Sequence, residues 1–323
     1  MTVSAVGIGA MSFSNFYGPV DTEQSHAILA KALDLGIDNI DTANVYGMGT
    51  SEDRIGSFLA QQGKQKEGLF KIATKAAITR TPEGKRVFDN SKEHLTAELD
   101  KSLKRLGLEQ IELFYVHRRE ADRPIEEVTE TLADLVKTGK IKQFGYSEIA
   151  PTSLEVAAAL HPVGAVQSEY SLATRSPEMG LVQRTAALGA TLVAFSPVGR
   201  GLLTDTPNSY DQCQELDFLK GNPRFMQPHH ARNIAATDGF RALAQEMGTK
   251  ASTLAIAWVL HQGNHIIAIP GTRSVEHLEE LAAGADLKLS DADLATLEKT
   301  LPIGWAHGDR YSAAQWVGPE RYC

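Results

Sequence analysis

The stretch Gly36-Ile-Asp-Asn-Ile-Asp-Thr-Ala-Asn-Val-Tyr46 decides the fold, because it holds a helix end, a strand and a polar loop in that order. An amphipathic pattern over residues 22–35 comes before Gly36, and a glycine is the favoured residue just past a helix end. The apolar run Ile37–Ile40 predicts a buried strand. A second helical pattern, residues 51–61, follows the loop. Such units build a parallel sheet with crossover helices.

The same alternation continues along the chain. The predicted strands are Val3–Ile8, Ile37–Ile40, Phe70–Thr74, Ile111–Val116, Ile141–Tyr146, Ala165–Ser168, Thr191–Ala194 and Ile266–Ile269. The predicted helices are 22–35, 51–61, 91–106, 125–138, 151–160, 179–188, 238–262 and 275–283. Eight strands, each followed by a helix, favour an α/β fold, a (β/α)8 TIM barrel in one domain over residues 1–323, although a doubly wound sheet alternates in the same way. Residues 204–233 are expected to form a long loop, and residues 290–323 one more helix and an aromatic tail.

Composition narrows the class of protein. A net charge of −8 and a pI near 5.7 disfavour a nucleic-acid surface, which needs clustered Lys and Arg. The two cysteines, Cys213 and Cys323, form no C-x-x-C pair, which favours a reducing compartment. No signal peptide and no apolar run of about 20 residues is visible. We therefore expect a soluble, cytoplasmic protein that binds neither nucleic acid nor membrane.

Polar and aromatic residues follow the predicted strands where an α/β barrel carries its active site. They are Asp41, Lys75, His117, Ser147, Gln167 and Phe195, and Tyr46 lies in the loop after the second strand. Each one has an ordinary explanation: Asp41 as a turn cap, Lys75 as a solvated charge, His117 as a surface histidine. Unrelated surface residues would not all occupy strand ends, so their convergence indicates a site.

These residues carry a family resemblance. The segment Gly36–Glu52 resembles the aldo-keto reductase signature around its catalytic Asp and Tyr, and Lys75 in Ala73-Thr-Lys and His117 in Phe114-Tyr-Val-His match the rest of that family's tetrad. The likeness covers nearly the whole chain. It is nearest to the pyridoxal reductase-like branch, on the motifs Gly145-Tyr-Ser-Glu, Gln167-Ser-Glu-Tyr-Ser-Leu and Gly308-Asp-Arg-Tyr. The resemblance implies NADPH-dependent reduction of aldehydes and ketones to alcohols, with Asp41, Tyr46, Lys75 and His117 as catalytic residues.

The residue types suit that chemistry. A phenol with an ordinary pKa near 10 is a weak acid at neutral pH, and an adjacent ammonium favours the phenolate and lowers that pKa. We expect Lys75 to do this for Tyr46, the proton donor, and Asp41 to compensate the buried Lys75 cation. His117 could orient the substrate carbonyl as a neutral imidazole or act as a second acid. The sequence leaves these two roles open.

The expected cofactor is NADPH/NADP+. The strand-one end lacks the third glycine of a Rossmann fingerprint, so Gly9, Ala10 and Met11 are expected to pass beneath the nicotinamide. Ser147 and Gln167 would hold its carboxamide, and Phe195 would stack on the ring. The pyrophosphate would bind the loop formed by Ser196, Pro197, Val198, Gly199, Gly201 and Leu202. At the start of the eighth helix, Gly271, Thr272 and Arg273 favour the 2′-phosphate, with Glu280 facing the adenine amine, although His277 and Leu281 depart from the family pattern.

One other function stays open and one is discounted. Channel-associated relatives with this fold suggest a nucleotide-sensing regulatory subunit, although the tetrad is intact. A metal-dependent hydrolase would need His-x-His on strand one or a cluster of His and carboxylates at several strand ends, whereas strand one ends in glycine and His229 and His230 have no obvious partner ligands, so we expect no metal site. The pocket-mouth candidates Phe13, Phe16, Tyr17, Arg118, Phe225, Trp305 and His307 suit aromatic aldehydes, pyridoxal-like compounds or small dicarbonyls as the small-molecule carbonyl substrate. Strand one starts close to Met1, where relatives have a hairpin under the barrel. We therefore expect that the barrel floor is open, that another element covers it, or that the chain is shortened. The oligomeric state is not readable.

Overall fold

The fold is a ring of parallel strands surrounded by helices, and the computed structural model describes residues 3–63, 66 and 68–322. The strands are β1 Ile8–Gly9, β2 Asn39–Asp41, β3 Lys71–Ala76, β4 Ile78–Arg80, β5 Arg86–Phe88, β6 Ile111–Val116, β7 Ile141–Ser147, β8 Ala165–Glu169, β9 Thr191–Phe195 and β10 Ile266–Ile269. The β4–β5 pair is a separate antiparallel hairpin, and the other eight pair in chain order. A doubly wound sheet would reverse its strand order part-way. The predicted (β/α)8 barrel is therefore confirmed.

The ring closes between β10 and the segment before β1. Gly7 N donates to Ala268 O at 2.8 Å, and Ala268 N donates to Ala5 O at 2.9 Å. The chains approach so closely here that a Cβ on Gly9 would lie 2.5 Å from Ile269 O. Glycine at position 9 is thus required by barrel closure, whatever else it contacts.

Helices lie between the strands of the ring. Their bounds are α1 Thr22–Asp34, α2 Thr50–Gln61, α3 Lys92–Leu106, α4 Ile125–Lys137, α5 Pro151–Leu160, α6 Leu181–Leu188, α7 Tyr210–Glu215, α8 His229–Ala236, α9 Asp238–Glu246, α10 Ala251–Leu260, α11 Val275–Ala282 and α12 Asp291–Thr300. Gly36, Gly107, Gly139 and Gly189 have positive φ angles and lie at or just after helix ends, and at Gly36 the sequence predicted such an end. Within the described residues, no helix has both the length and the apolar composition to cross a lipid bilayer.

Three details of the sequence prediction are wrong. The single helix expected over 238–262 is two helices, α9 and α10, because Gly248 turns the chain with φ +68°. The segment 204–233, expected to be a loop, contains α7 and the start of α8. The strand expected at Val3–Ile8 is only β1, because Val6 makes an isolated bridge to Ala268 instead of a continuous ladder.

Alternate strand residues point into the barrel, since side chains on a strand alternate between its two faces. Six of them form a buried interior cluster: Leu113, Tyr115, Ala165, Val193, Ile267 and Ile269. Partly buried Val3 and Ala73 pack against this cluster, so Val3 contributes to the barrel floor that the sequence left undecided. The same parity directs Lys75, two residues after Ala73, and Gln167, two after Ala165, into the barrel.

Candidate active site

A cavity of about 1350 Å³ opens at the carboxyl ends of the ring strands. All four residues of the predicted tetrad line it or contact a residue that does. Asp41, Tyr46 and His117 are on the wall, and Lys75 lies directly behind Asp41 and Tyr46. The wall also includes residues 271–274 at the start of α11, so one cavity joins the two ends of the predicted site.

Lys75 is the centre of the tetrad. Its ammonium is fully buried and donates to Asp41 Oδ1, to Thr42 O at 2.7 Å and to Tyr46 Oη at 3.3 Å. These three bonds use all three of its protons. The loop that carries Tyr46 is held to the same strand, because Asn44 N donates to Lys75 O at 3.1 Å. Tyr46 Oη therefore accepts from Lys75, which leaves its own O–H free to donate into the cavity.

His117 stands beside Tyr46. The two rings meet edge to face, with centroids 5.8 Å apart. His117 directly follows β6, and its backbone N–H donates to Ala76 O at 2.8 Å, which ties it to the end of β3. Its imidazole is buried, with no hydrogen bond to Nδ1 within the described part of the chain.

Burial controls the charge of these groups. Burial raises the pKa of Tyr46 and the Lys75 ammonium lowers it, but the balance is upward. Lys75 therefore lowers the pKa of Tyr46 as expected, but desolvation of the phenolate outweighs the ammonium and the net pKa lies above its ordinary value. Burial lowers the pKa of Lys75, and the Asp41 carboxylate and Tyr46 raise it, with a net rise. Lys75 is thus a cation and Tyr46 a neutral phenol at neutral pH.

The pKa of His117, in contrast to those of Tyr46 and Lys75, is shifted downward. Burial holds it well below the ordinary value, and the positive charges of Arg118 and Lys75 act in the same direction. His117 is therefore neutral at neutral pH. This favours the first of the two roles that the sequence left open, a hydrogen-bonding imidazole.

Two predicted carboxamide-binding residues already have protein partners. Gln167 Nε2 donates to Asp41 Oδ2 at 2.7 Å, and Ser147 Oγ accepts from Arg118 at 3.0 Å. Gln167 therefore occupies the second oxygen of the carboxylate that holds Lys75. Its carbonyl oxygen, which can accept two hydrogen bonds, is not used in this contact.

Most of the predicted cofactor residues lie on the cavity wall. They are Gly9, Met11, Ser147, Gln167, Phe195, Ser196, Pro197, Val198, Gly201, Gly271, Thr272, Arg273 and Glu280. Ala10, Gly199 and Leu202 do not line it. Ala10 and Leu202 are buried, Leu202 among Cys213, Leu219 and Phe225, and Gly199 supports the turn with φ +59°.

The far end of the cavity is positively charged and exposed. Arg273 donates weakly to Pro19 O at 3.5 Å and has no carboxylate partner within the described ranges. Glu280 is less available than the sequence suggested. Its carboxylate accepts from Ser252 Oγ at 3.3 Å and lies 3.8 Å from Lys250 Nζ.

A buried ionic network lies behind the strand ends. Glu169, at the end of β8, accepts from Arg200 at 2.6 Å and from Arg310 at 3.2 Å. Arg310, in the C-terminal tail, also binds Glu148, which follows β7. Arg200 belongs to the predicted pyrophosphate loop and donates to Arg310 O at 2.7 Å. The tail and the predicted pyrophosphate loop therefore share one carboxylate.

The predicted pocket mouth is only partly right. Phe16, Tyr17 and Arg118 line the cavity, whereas Phe13 and Phe225 are buried elsewhere. Trp305 donates to Leu172 O and His307 stacks on His229, both off the wall.

The β4–β5 hairpin, which was not predicted from the sequence, places Arg80 and Arg86 on the wall. The signal was present in Thr81-Pro-Glu-Gly84, a turn sequence between two short β-branched runs. Within the described ranges, no group of three or more His, Cys, Asp or Glu could hold a metal ion.

The model of the aldo/keto reductase family matches residues 5–302. The chain belongs to the aldo/keto reductase family. It is 37% identical over 314 residues to aldo-keto reductase yakc [NADP(+)] of Schizosaccharomyces pombe, which covers 96% of this chain and 92% of the relative. It is 35% identical over 317 residues to aldo-keto reductase str7 of Strobilurus tenacellus, covering 95% and 92%.

Solved aldo/keto reductases share the barrel. Glycerol dehydrogenase AKR11B4 from Gluconobacter oxydans superposes with a TM-score of 0.82 at 27% identity, over 93% of this chain and 92% of that one. An aldo-keto reductase from Klebsiella pneumoniae in complex with NADPH gives 0.73 at 23% identity, over 96% and 95%. The second likeness concerns the fold alone.

Proposed function

We propose that this aldo/keto reductase reduces aldehydes and ketones to alcohols with NADPH, and that Tyr46 gives the proton to the carbonyl oxygen. One observation carries the proposal: Tyr46 Oη accepts from the buried Lys75 ammonium at 3.3 Å and faces the cavity beside His117. Because that oxygen is already an acceptor for Lys75, its own proton is available to a substrate oxygen.

The cavity suits a dinucleotide in shape and chemistry. It runs from the tetrad to Arg273, with the Phe195 ring on the wall at the tetrad end. The Ser196–Gly201 turn has left-handed backbone at Ser196, with φ +51°, and at Gly201, with φ +96°, and such turns are typical of anion-binding backbone. Arg273 and the start of α11 would hold the 2′-phosphate. When bound, NADPH supplies the hydride for the carbonyl carbon.

The tetrad residues would divide the remaining work. Tyr46 carries its proton at neutral pH because burial raises its pKa, so it can donate without prior ionisation. As that proton leaves, the Lys75 cation 3.3 Å away stabilises the phenolate that forms. Asp41 keeps Lys75 charged, and Gln167 holds Asp41 in place. Neutral His117 would orient the substrate oxygen by a hydrogen bond.

The Tyr46→Phe variant tests the proton donor. It retains the ring and removes the acid, so kcat for NADPH-dependent reduction of a simple aldehyde should fall by about 10²- to 10⁴-fold. Tyr210→Phe, at the start of α7 and off the cavity wall, is the matched control and should keep the wild-type rate. Equal rates in Tyr46→Phe and wild type would remove Tyr46 from this role. NADPH binding without turnover of any aldehyde would favour the regulatory function instead.

The Arg273→Ala variant tests the cofactor preference. Losing a charge-assisted contact should weaken NADPH binding by about 10- to 100-fold and leave NADH binding nearly unchanged. Nucleotide fluorescence titration measures both constants. Arg184→Ala, an exposed arginine of α6, is the control. An unchanged ratio of the two constants would refute the phosphate assignment.

Three finer expectations stay predictions. They are membership of the pyridoxal reductase-like branch, a single domain over residues 1–323 and a cytoplasmic location.

A further inference from the structure

Three arginines line the substrate end of the cavity without an acidic partner. Arg80 and Arg86 belong to the β4–β5 hairpin and Arg118 follows His117, and all three are on the cavity wall. No ion pair within 4.0 Å joins any of them to a carboxylate of the described residues, although most other arginines of the chain have such a pair. We call these three residues the arginine wall.

The hairpin places two of these charges in direct opposition. Arg80 and Arg86 are cross-strand partners in the antiparallel register. Like charges at such a position destabilise a strand pair. Burial lowers the pKa of Arg86, and the charges of Arg118 and Arg80 lower it further, so the three guanidiniums repel one another. The Arg86 guanidinium lies over the Phe88 ring, 5.1 Å from its centroid, which restricts its orientation.

Arg118 is the deep member of the arginine wall. Only 8% of it is exposed, and its Nε is buried without a hydrogen-bond partner in the described structure. One guanidinium nitrogen, Nη1, donates to His117 O at 2.6 Å and to Ser147 Oγ at 3.0 Å. These contacts fix the group between the predicted catalytic histidine and β7. An unpaired donor on a buried cation carries a desolvation cost that an anionic acceptor would offset.

Two carboxylates on the cavity wall, those of Asp41 and Glu98, already have partners and do not neutralise the arginine wall. Asp41 is bound to Lys75, and Glu98 is bound to Lys101 at 2.7 Å and to Asn44 at 2.7 Å. The local excess of positive charge occurs in a chain whose net charge is −8. Such a concave, one-sign surface concentrates ligands of the opposite sign.

We infer that the substrates for which this enzyme is built are carbonyl compounds with a carboxylate at the end away from the reacting carbonyl. The carbonyl would lie at Tyr46 and His117, and the carboxylate would bind the arginine wall, where a guanidinium can offer two parallel N–H donors. The inference rests on the proposed function, because it assigns the substrate class of that same site.

Matched substrates test the inference. The compounds are 4-carboxybenzaldehyde and its uncharged methyl ester, methyl 4-formylbenzoate, each reduced with saturating NADPH. Wild-type kcat/KM should be about 10-fold or more higher for the acid. Equal or lower kcat/KM for the acid would overturn the inference and leave the proposed reductase function standing. Failure to reduce either compound would overturn both.

Variants assign the preference to the arginine wall. Arg86→Gln is the first choice, because the Arg86 guanidinium makes no hydrogen bond to the described residues and contacts the Phe88 ring. It should reduce the acid-to-ester ratio of kcat/KM by about 3- to 10-fold, mainly through KM for the acid. Lys85→Gln removes the same charge from the same hairpin but lies off the cavity wall, and it should keep the wild-type ratio. A ratio unchanged in Arg86→Gln and in Arg80→Gln/Arg86→Gln would refute the wall as the anion site.

A binding measurement gives a readout apart from turnover. Calorimetric titration of 4-(hydroxymethyl)benzoate, the product, into the protein saturated with NADP+ should give tighter binding than its methyl ester, and added NaCl should weaken that advantage. The advantage should shrink in Arg86→Gln and persist in Lys85→Gln. Equal affinity of wild type for the two alcohols would contradict the inference.

Discussion

The two walls of the cavity treat charge in opposite ways. At the tetrad, the buried Lys75 ammonium donates each of its three protons to an acceptor of the protein, and Gln167 donates a hydrogen bond to Asp41. On the arginine wall, two guanidiniums oppose each other across a hairpin and a third is buried with a free donor. The tetrad is thus a compensated wall, where each charge has a partner in the protein, and it suits a constant electrostatic field around a reacting bond. The arginine wall is uncompensated, because its charges lack such partners, and it suits an anionic ligand that binds and dissociates.

The largest effect on stability and activity should come from a substitution that removes the Lys75 charge from the compensated wall. Lys75→Met leaves the Asp41 carboxylate buried without its cation, which should lower the free energy of unfolding by about 3–5 kcal/mol. It should also abolish detectable reduction, because nothing then stabilises the Tyr46 phenolate. Urea denaturation and the NADPH oxidation assay measure the two effects. Lys75→Met/Asp41→Asn should recover much of the stability and none of the activity. If Lys75→Met alone were as stable as wild type, Lys75 would not be needed to compensate the buried Asp41 carboxylate.

A pH profile tests the same wall with a smaller expected effect. Neutral His117 has its pKa below the ordinary value near 6.5, so lowering the pH from neutral to about 6 should not protonate it. Tyr46 has its pKa above the ordinary value near 10, so raising the pH to about 9 should not remove its proton. Between these limits, kcat/KM for the methyl ester should stay constant within about twofold, and it should fall only in stronger alkali.

The control for that profile is His117→Gln. Any acid limb that survives in this variant belongs to another group. A wild-type rate that falls about tenfold between neutral pH and pH 6 would mean that His117 is charged in that range, contrary to its burial beside Arg118.

The smallest effect should come from a substitution in the arginine wall, and it concerns the free energy of unfolding. Arg86→Gln removes one of two opposed charges, so the free energy of unfolding should stay constant or rise by up to about 1 kcal/mol. Denaturation at low and high salt measures it, and the gain should disappear in high salt. Lys85→Gln should show no comparable gain, because Lys85 is not the residue opposite Arg80. A loss above about 1 kcal/mol would mean that Arg86 has a structural role.

Features of the site that depend on local residue order could be predicted from the sequence, and features that depend on the three-dimensional surroundings could not. Asp41, Lys75 and Gln167 were predictable because strand parity directs them into the barrel, and local residue order determines that parity. The direction of the Tyr46 pKa shift was not predictable, because it depends on burial against Lys75 in three dimensions. The broken helix at Gly248 was overlooked because the apolar pattern continues on both sides of that glycine.

Other errors had readable signals. The capping box of α7, Ser209 with Gln212, marks a helix inside the segment that was predicted to be a loop. The arginine wall is different. Arg80, Arg86 and Arg118 are separated by up to 38 positions (118 minus 80), and only the hairpin fold brings them to one surface.

The carboxylate of Glu169 links two segments that are 110 residues apart, since Arg200 and Arg310 both bind it. Their contributions to stability are therefore non-additive, and a double-mutant cycle between these arginines should give a substantial coupling energy in the free energy of unfolding. A substitution in the tail can thus shift the Ser196–Gly201 turn without altering a single residue within that turn.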